Sequence, residues 1–203
     1  HGADLALFPE MSLMGYPPRD LVEHAGFVER GLQTLIELAR TLPLPCVVGF
    51  VAKDETGVGK PLHNSAALLR DGRVASVHDK CLLPTYDVFD EDRYFEPGPR
   101  PRALELGGRP FGLTICEDLW RAQAGRYEHY RFDPVPVLTE LGVKAIFNLS
   151  ASPFTLGPAS ASALSSSPVM TLQSIIRFHT DGPGSVFLPS SALSLPLATS
   201  NAV

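Results

Sequence analysis

Three polar residues hold positions from which they could do chemistry together. Glu10, Lys80 and Cys116 each stand at or just past the end of an apolar run. Cys116 closes Phe111-Gly-Leu-Thr-Ile and is followed at once by Glu117 and Asp118. A β-branched apolar run reads as a short buried strand, and acids suit the first turn of a helix, so the thiol is expected at a strand-to-helix junction. Backbone N–H groups at a helix start lower a thiol's pKa and can hold an oxyanion. A carboxylate that moves protons, an ammonium beside a developing oxyanion and a thiolate nucleophile are what a cysteine amidase needs. Taken singly, each residue also has a structural reading: Glu10 as a capping or surface acid, Lys80 as a solvated cation, Cys116 as a packed core thiol.

Residues at strand ends converge on one rim of an α/β sheet, so the preceding elements decide whether the three meet. Leu5-Ala-Leu-Phe-Pro-Glu10 reads as a buried strand ending in Pro9 and a carboxylate. The turn-rich Gly15-Tyr-Pro-Pro-Arg-Asp20 leads into an amphipathic helix expected from about Leu21 to Leu42, with Phe27, Val28, Leu32, Leu35, Ile36 and Leu38 on its apolar side. Pro43 and Pro45 stop it, and Cys46-Val-Val-Gly-Phe-Val51 is the next buried strand, with a Gly-rich tip at Glu55 to Lys60. Asn64 to Arg70, Asp71-Gly72 and Arg73 to His78 predict a hairpin on a type I′ turn whose second arm delivers Lys80. Cys81 to Arg102 is long, rich in proline and acids, and expected to be irregular. Asp133 as N-cap and Pro134 at the first helical position predict a short helix to Leu141, and Lys144 to Leu149 another strand. This alternation argues for α/β layering.

At 203 residues, 44% hydrophobic and 19% charged, the chain has the make-up of one soluble globular domain. A net charge of -5 gives no basic footprint for nucleic acid or an anionic membrane. No window is long and apolar enough to span a bilayer, and no signal pattern opens the chain. Cys46, Cys81 and Cys116 form no CxxC pair and leave an odd thiol in any disulfide scheme, which fits a reducing, cytoplasmic setting. The histidines show no metal-ligand spacing with them, so no metal is expected. Beyond Gly157 the character changes: Ser, Ala and Pro dominate and the only charged residues are Arg177 and Asp181. Residues 1–157 therefore read as the domain, and 158–203 as an atypical tail, a low-complexity linker or a frameshifted segment not native to the domain, expected to be poorly ordered or irregular throughout and carrying a short apolar patch at Thr171 to Phe178.

Phe8-Pro-Glu10, His78-Asp-Lys80-Cys-Leu-Leu-Pro84 and Thr114-Ile-Cys116-Glu-Asp118 resemble, in order and spacing, the three signatures of the nitrilase (carbon–nitrogen hydrolase) superfamily. Gly15-Tyr-Pro-Pro-Arg-Asp20, Tyr86 to Gly98, Cys116-Glu-Asp-Leu-Trp120 and Asn148-Leu-Ser-Ala-Ser-Pro-Phe154 are most similar to the glutaminase domains of glutamine-dependent NAD synthetases. The resemblance implies a four-layer α-β-β-α sandwich, truncated here at the N-terminus and departing from the family beyond Gly157. It implies a Glu10-Lys80-Cys116 triad that hydrolyses the side-chain amide of glutamine through a thioester. Glu91 would position Lys80 and the substrate, the Glu117 N–H would help hold the oxyanion, and Tyr86 and Ser152 would contact the substrate. No cofactor is implied for that step. ATP and magnesium belong to the synthetase domain, which would receive the ammonia and whose phosphate loop does not occur in this sequence. A homo-oligomer is implied for a complete family member.

Other readings are a non-catalytic remnant or interaction module that keeps the motifs, an amidase for another small amide, and a thiol redox protein, which would lack a resolving CxxC partner.

Overall fold

The computed structural model describes residues 3–86, 89–119, 130–151 and 174–176. Two sheets form from strands whose side chains alternate between opposite faces. The larger contains β1 (Leu5–Leu7), β2 (Cys46–Lys53), β3 (Leu62–Arg70), β4 (Arg73–Asp79) and β8 (Ser174–Ile176), in the order β4-β3-β2-β1-β8. β1 runs parallel to β2 and antiparallel to β8, while β2, β3 and β4 form an antiparallel meander. The smaller contains β5 (Ala103–Leu106), β6 (Arg109–Ile115) and β7 (Ile146–Leu149), with β5 antiparallel and β7 parallel to β6.

Both faces of β2 and β3 are buried, which is why β2 reads as a nearly continuous apolar run and β3 carries Ala66 to Leu69 without a break. Leu5, Leu7, Val47, Ala66 and Leu68 point from the larger sheet onto Phe111, Leu113, Ile115, Phe147 and Leu149 of the smaller one. Their neighbours in register, Cys46, Val48, Phe50, Ala67 and Leu69, face Leu35 and Ala39 of helix α1 (Ala25–Thr41). Burying each such side chain stabilises the fold by about 1.5–3 kcal/mol. Helix α2 (Pro134–Glu140) covers the smaller sheet: a Cβ on Gly112 of β6 would lie 2.8 Å from Leu138 of α2, so glycine is what lets the helix sit this close. The layers run α1, larger sheet, smaller sheet, α2, the four-layer order expected.

Local sequence explains the edges. Asp71 and Gly72 take φ of 55° and 74°, the two positive values of a type I′ turn. The Asp133 side chain accepts from the Val135 N–H at 3.0 Å, capping α2 as expected. Three elements differ from expectation. The first long helix divides into a 3-10 turn at Arg19–Glu23 and α1, because His24 is extended (φ -84°, ψ 106°) and serves as the N-cap of α1. The β5–β6 hairpin was not predicted; Gly107 and Gly108, at φ 58° and 73°, turn it. Within the apolar patch of the tail, Ser174–Ile176 forms a strand, pairing Ile175 with Ala6. The rest of residues 158–203 and the expected boundary at Gly157 lie outside the described residues. No described helix is long and apolar enough to cross a membrane.

Candidate active site

Glu10 follows β1 into a tight turn pressed on β2. The Phe8 N–H donates to the Val47 carbonyl at 2.8 Å and the Leu13 N–H to the Gly49 carbonyl at 3.1 Å. A Cβ at Gly49 would lie 2.3 Å from the Pro9 carbonyl oxygen and 2.4 Å from the Met11 nitrogen, so the absence of a side chain there is what lets the turn carry Glu10 inward. The carboxylate is buried. Its Oε1 accepts from Lys80 Nζ and from Asn64 Nδ2, both at 2.8 Å, and its Oε2 from the Ala151 N–H at 3.1 Å, just past β7.

Lys80, immediately after β4, is fully buried. Besides Glu10, its Nζ donates to Glu91 Oε1 at 2.8 Å and Oε2 at 2.9 Å. Glu91 also accepts from Asn64 Nδ2 at 3.1 Å and from the Tyr16 hydroxyl at 2.9 Å. Burial alone would neutralise this lysine, but Glu10 and Glu91, with smaller contributions from Cys116 and Tyr16, outweigh it and hold the ammonium well above its ordinary pKa. Burial pushes the Glu91 carboxyl up while Lys80 draws it back down. Burial, followed by the charge of Glu91, also raises the Tyr16 phenol, so it stays a hydrogen-bond donor.

Cys116 begins a 3-10 turn, Cys116–Leu119, where β6 ends. Its φ of 45° is left-handed, a conformation that costs a non-glycine residue about 1 kcal/mol or more and recurs at functional sites. The turn is braced from β7: Asn148 Nδ2 donates to Thr114 Oγ1 at 3.0 Å and to the Cys116 carbonyl at 3.4 Å. Glu117 turns its carboxylate to Tyr86, whose hydroxyl donates at 2.8 Å, and to the Tyr130 hydroxyl at 3.3 Å. Its carboxyl is raised by burial, against the pull of Tyr86, Lys80 and Tyr130.

The other two thiols are buried as well. Burial raises Cys46, whose Sγ donates to the Leu44 carbonyl at 3.3 Å. Burial and the charges of Asp118 and Asp79 raise Cys81. Of the three thiols, Cys116 is the one whose charge acts on Lys80. His78, Cys81 and Asp118 bring ligand-type atoms within 4.8 Å of one another, a grouping that their sequence spacing did not suggest.

A family description, carbon-nitrogen hydrolase, matches residues 1–127. The chain belongs to the carbon-nitrogen hydrolase family. The glutamine-dependent NAD(+) synthetase of Synechocystis sp. is 43% identical over 162 residues, covering 77% of this chain and 29% of that protein. The enzyme of the same name from Thermotoga maritima is 38% identical over 163 residues, covering 77% and 25%. This chain thus spans less than a third of the length of these curated relatives. Among solved structures, the glutamine-dependent NAD+ synthetase of Acinetobacter baumannii, in complex with ADP, superimposes with a TM-score of 0.65 at 34% identity over 80% of this chain and 28% of that one. An amidase of the nitrilase superfamily from Nesterenkonia AN1 gives 0.58 at 21% identity over 80% and 57%, a likeness of fold.

In this carbon-nitrogen hydrolase the structure gathers Glu10, Lys80 and Glu91 into one hydrogen-bonded cluster and sets Cys116 close enough to act electrostatically on it. Tyr86 and Glu117 lie together at its margin. Ser152 lies outside the described residues. Sequence reasoning missed Asn64 and Tyr16, which bind the two carboxylates, and Asp118, whose carboxylate accepts from the backbone on either side of the cluster. A polar Asn64 leading into the apolar run Ala66 to Leu69 of a buried strand was the available signal for the first of them.

Proposed function

We propose that this chain hydrolyses the side-chain amide of glutamine, with Cys116 as nucleophile, Glu10 as proton carrier and Lys80 as oxyanion stabiliser. One observation carries the reading. A fully buried ammonium is kept charged between two carboxylates, and Cys116 is the cysteine whose charge acts on it. A buried charge is costly unless it serves a partner, and a developing oxyanion is such a partner.

Glu10 takes the Cys116 proton as Sγ attacks the amide carbon, and the carbonyl oxygen becomes an oxyanion facing Lys80 and the Glu117 N–H. The proton passes from Glu10 to the amide nitrogen, the C–N bond breaks and ammonia leaves a thioester. Water, deprotonated by Glu10, attacks the thioester, and the products are glutamate and the free thiol. Glu91 and Asn64 fix the Lys80 amine and the Glu10 carboxylate against each other. Glu117, Tyr86 and Ser152 would contact the substrate. The names of the relatives support glutamine as the amide, and the step needs no cofactor. The ammonia would pass to an ATP- and magnesium-dependent synthetase domain or subunit making NAD from deamido-NAD in the cytoplasm, within a homo-oligomer.

Ammonia release per folded protein tests the reading. Cys116→Ala should abolish it, whereas Cys46→Ala and Cys81→Ala should retain it. Equal loss in all three would refute the assignment, and faster turnover of a short aliphatic amide than of glutamine would favour a general amidase.

A further inference from the structure

The geometry points to Asp118 as the positioning residue that sets the spacing between Lys80 and Cys116, a proposal that rests on the catalytic reading of those two residues. Asp118 is fully buried. Its Oδ1 accepts from the N–H groups of Cys81 at 3.0 Å and Leu82 at 2.9 Å, the two residues directly after Lys80. Its Oδ2 accepts from the N–H of Ile115 at 3.0 Å, the residue directly before Cys116. One rigid carboxylate thus ties the end of β4, in the larger sheet, to the end of β6, in the smaller.

The tie is specific to a carboxylate. Three N–H donors converge on it, and only a group with two accepting oxygens can take all three. The same count argues against a metal at His78, Cys81 and Asp118. About three of the four lone-pair sites of Asp118 are taken. Cys81 is held as a thiol by burial and by the neighbouring acids, and its Sγ donates to the Asp79 carbonyl at 3.6 Å. His78 Nε2 lies 3.6 Å from Asp118 Oδ2, a contact along the outside of the tie.

Asp118→Asn keeps the volume but offers one oxygen. Whichever way its amide turns, an NH2 faces either the Ile115 N–H or the Cys81 and Leu82 pair, donor against donor, and one strand end is released. The experiment uses the whole chain and follows alkylation of Cys116 by iodoacetamide against pH, by mass spectrometry. If Lys80 recedes from about 4 to about 5 Å at an effective dielectric of about 20, its hold on the Cys116 thiolate weakens by about 0.6 pH unit. Asp118→Asn also removes a negative charge, which moves the midpoint down, so the midpoint is read in Asp118→Glu, which keeps the charge and displaces the oxygens, and a midpoint that falls or stays there overturns the proposal.

Two further readouts accompany it. Hydrogen exchange should quicken at the Ile115 amide or at those of Cys81 and Leu82, and unchanged exchange at all three would overturn the tie. Turnover of glutamine per alkylatable site should drop by up to about 100-fold with little change in KM. If Asp118→Asn does not fold, Asp118→Ser takes its place, and failure of both to fold overturns the proposal, since the carboxylate then serves the fold rather than the spacing. Retained hydrolysis in Cys116→Ala would sink the catalytic reading alone, while the alkylation midpoint would still decide the tie.

Discussion

Gly49→Ala should disable the site from a position that carries no functional group. The added methyl would meet the Pro9 oxygen at 2.3 Å and the Met11 nitrogen at 2.4 Å, where ordinary contact begins at 3.4 Å. The Glu10 turn must therefore retreat by about 1 Å, since β2 is packed on both faces and cannot. Overpacking of this kind costs about 1–3 kcal/mol of stability. A displacement of about 1 Å at a reacting group can cost about 100-fold in rate. Glu10 would also lose its fit to three donors at once, those of Lys80, Asn64 and Ala151. The assay is ammonia release at saturating glutamine, normalised to folded protein from the melting curve. Gly26→Ala, in the first turn of α1 with no atom within 4 Å of its new methyl, is the control and should keep full activity. A folded Gly49→Ala within about threefold of the parent would refute the argument that backbone contact at this glycine sets Glu10.

Lys80→Ala should lower the rate by about 10²- to 10³-fold. It should also destabilise the fold by about 3–5 kcal/mol, because Glu10 and Glu91 lose their shared cation. Lys80→Arg should not rescue turnover, as a planar fork does not fit a fully buried point-charge position, and near-native activity in that variant would rule out the role. Glu117→Gln should gain stability relative to the parent as pH rises above the ordinary carboxylate pKa of about 4. The reason is that burial raises the Glu117 carboxyl, so the parent holds its proton more tightly folded than unfolded and loses stability as that proton leaves. A difference in Tm that stays constant across this range would count against that assignment.

Much of the fold was legible because its signals are local. Asp71-Gly72 declared its turn, Asp133-Pro134 its helix start, and Cys116-Glu-Asp the end of its strand. Glu10, Lys80 and Cys116 stood out for the same reason, since each closes an apolar run. The partners that hold them did not. Tyr16 reaches Glu91 and Asn64 reaches Glu10 across long stretches of chain, and only Asn64, by lying in a buried strand, carried a local signal. Asp118 was visible as one of two acids suited to a first turn, but both of its oxygens are spent on distant or neighbouring backbone rather than on a helix start. The β5–β6 hairpin carried a Gly107-Gly108 turn signal that the irregular stretch before it obscured. The strand at Ser174–Ile176 followed from β-branched Ile175 and Ile176 rather than from the composition of its surroundings.

The Ala151 N–H that reaches Glu10 gives the molecule an order of assembly. β2, β3 and β4 close through adjacent turns, pairings of low contact order that form early. The contact from Glu10 to Ala151 spans 141 residues and joins the two sheets, so the loop it closes is among the most entropically expensive in the chain. Lys80 and its two carboxylates stay hydrated until the sheets dock, and the step that strips water from them also sets the carboxylate against the second sheet. On the proposed reading, reactivity is thereby withheld from any half-folded chain, in which Cys116 and Glu10 still belong to separate pieces of structure.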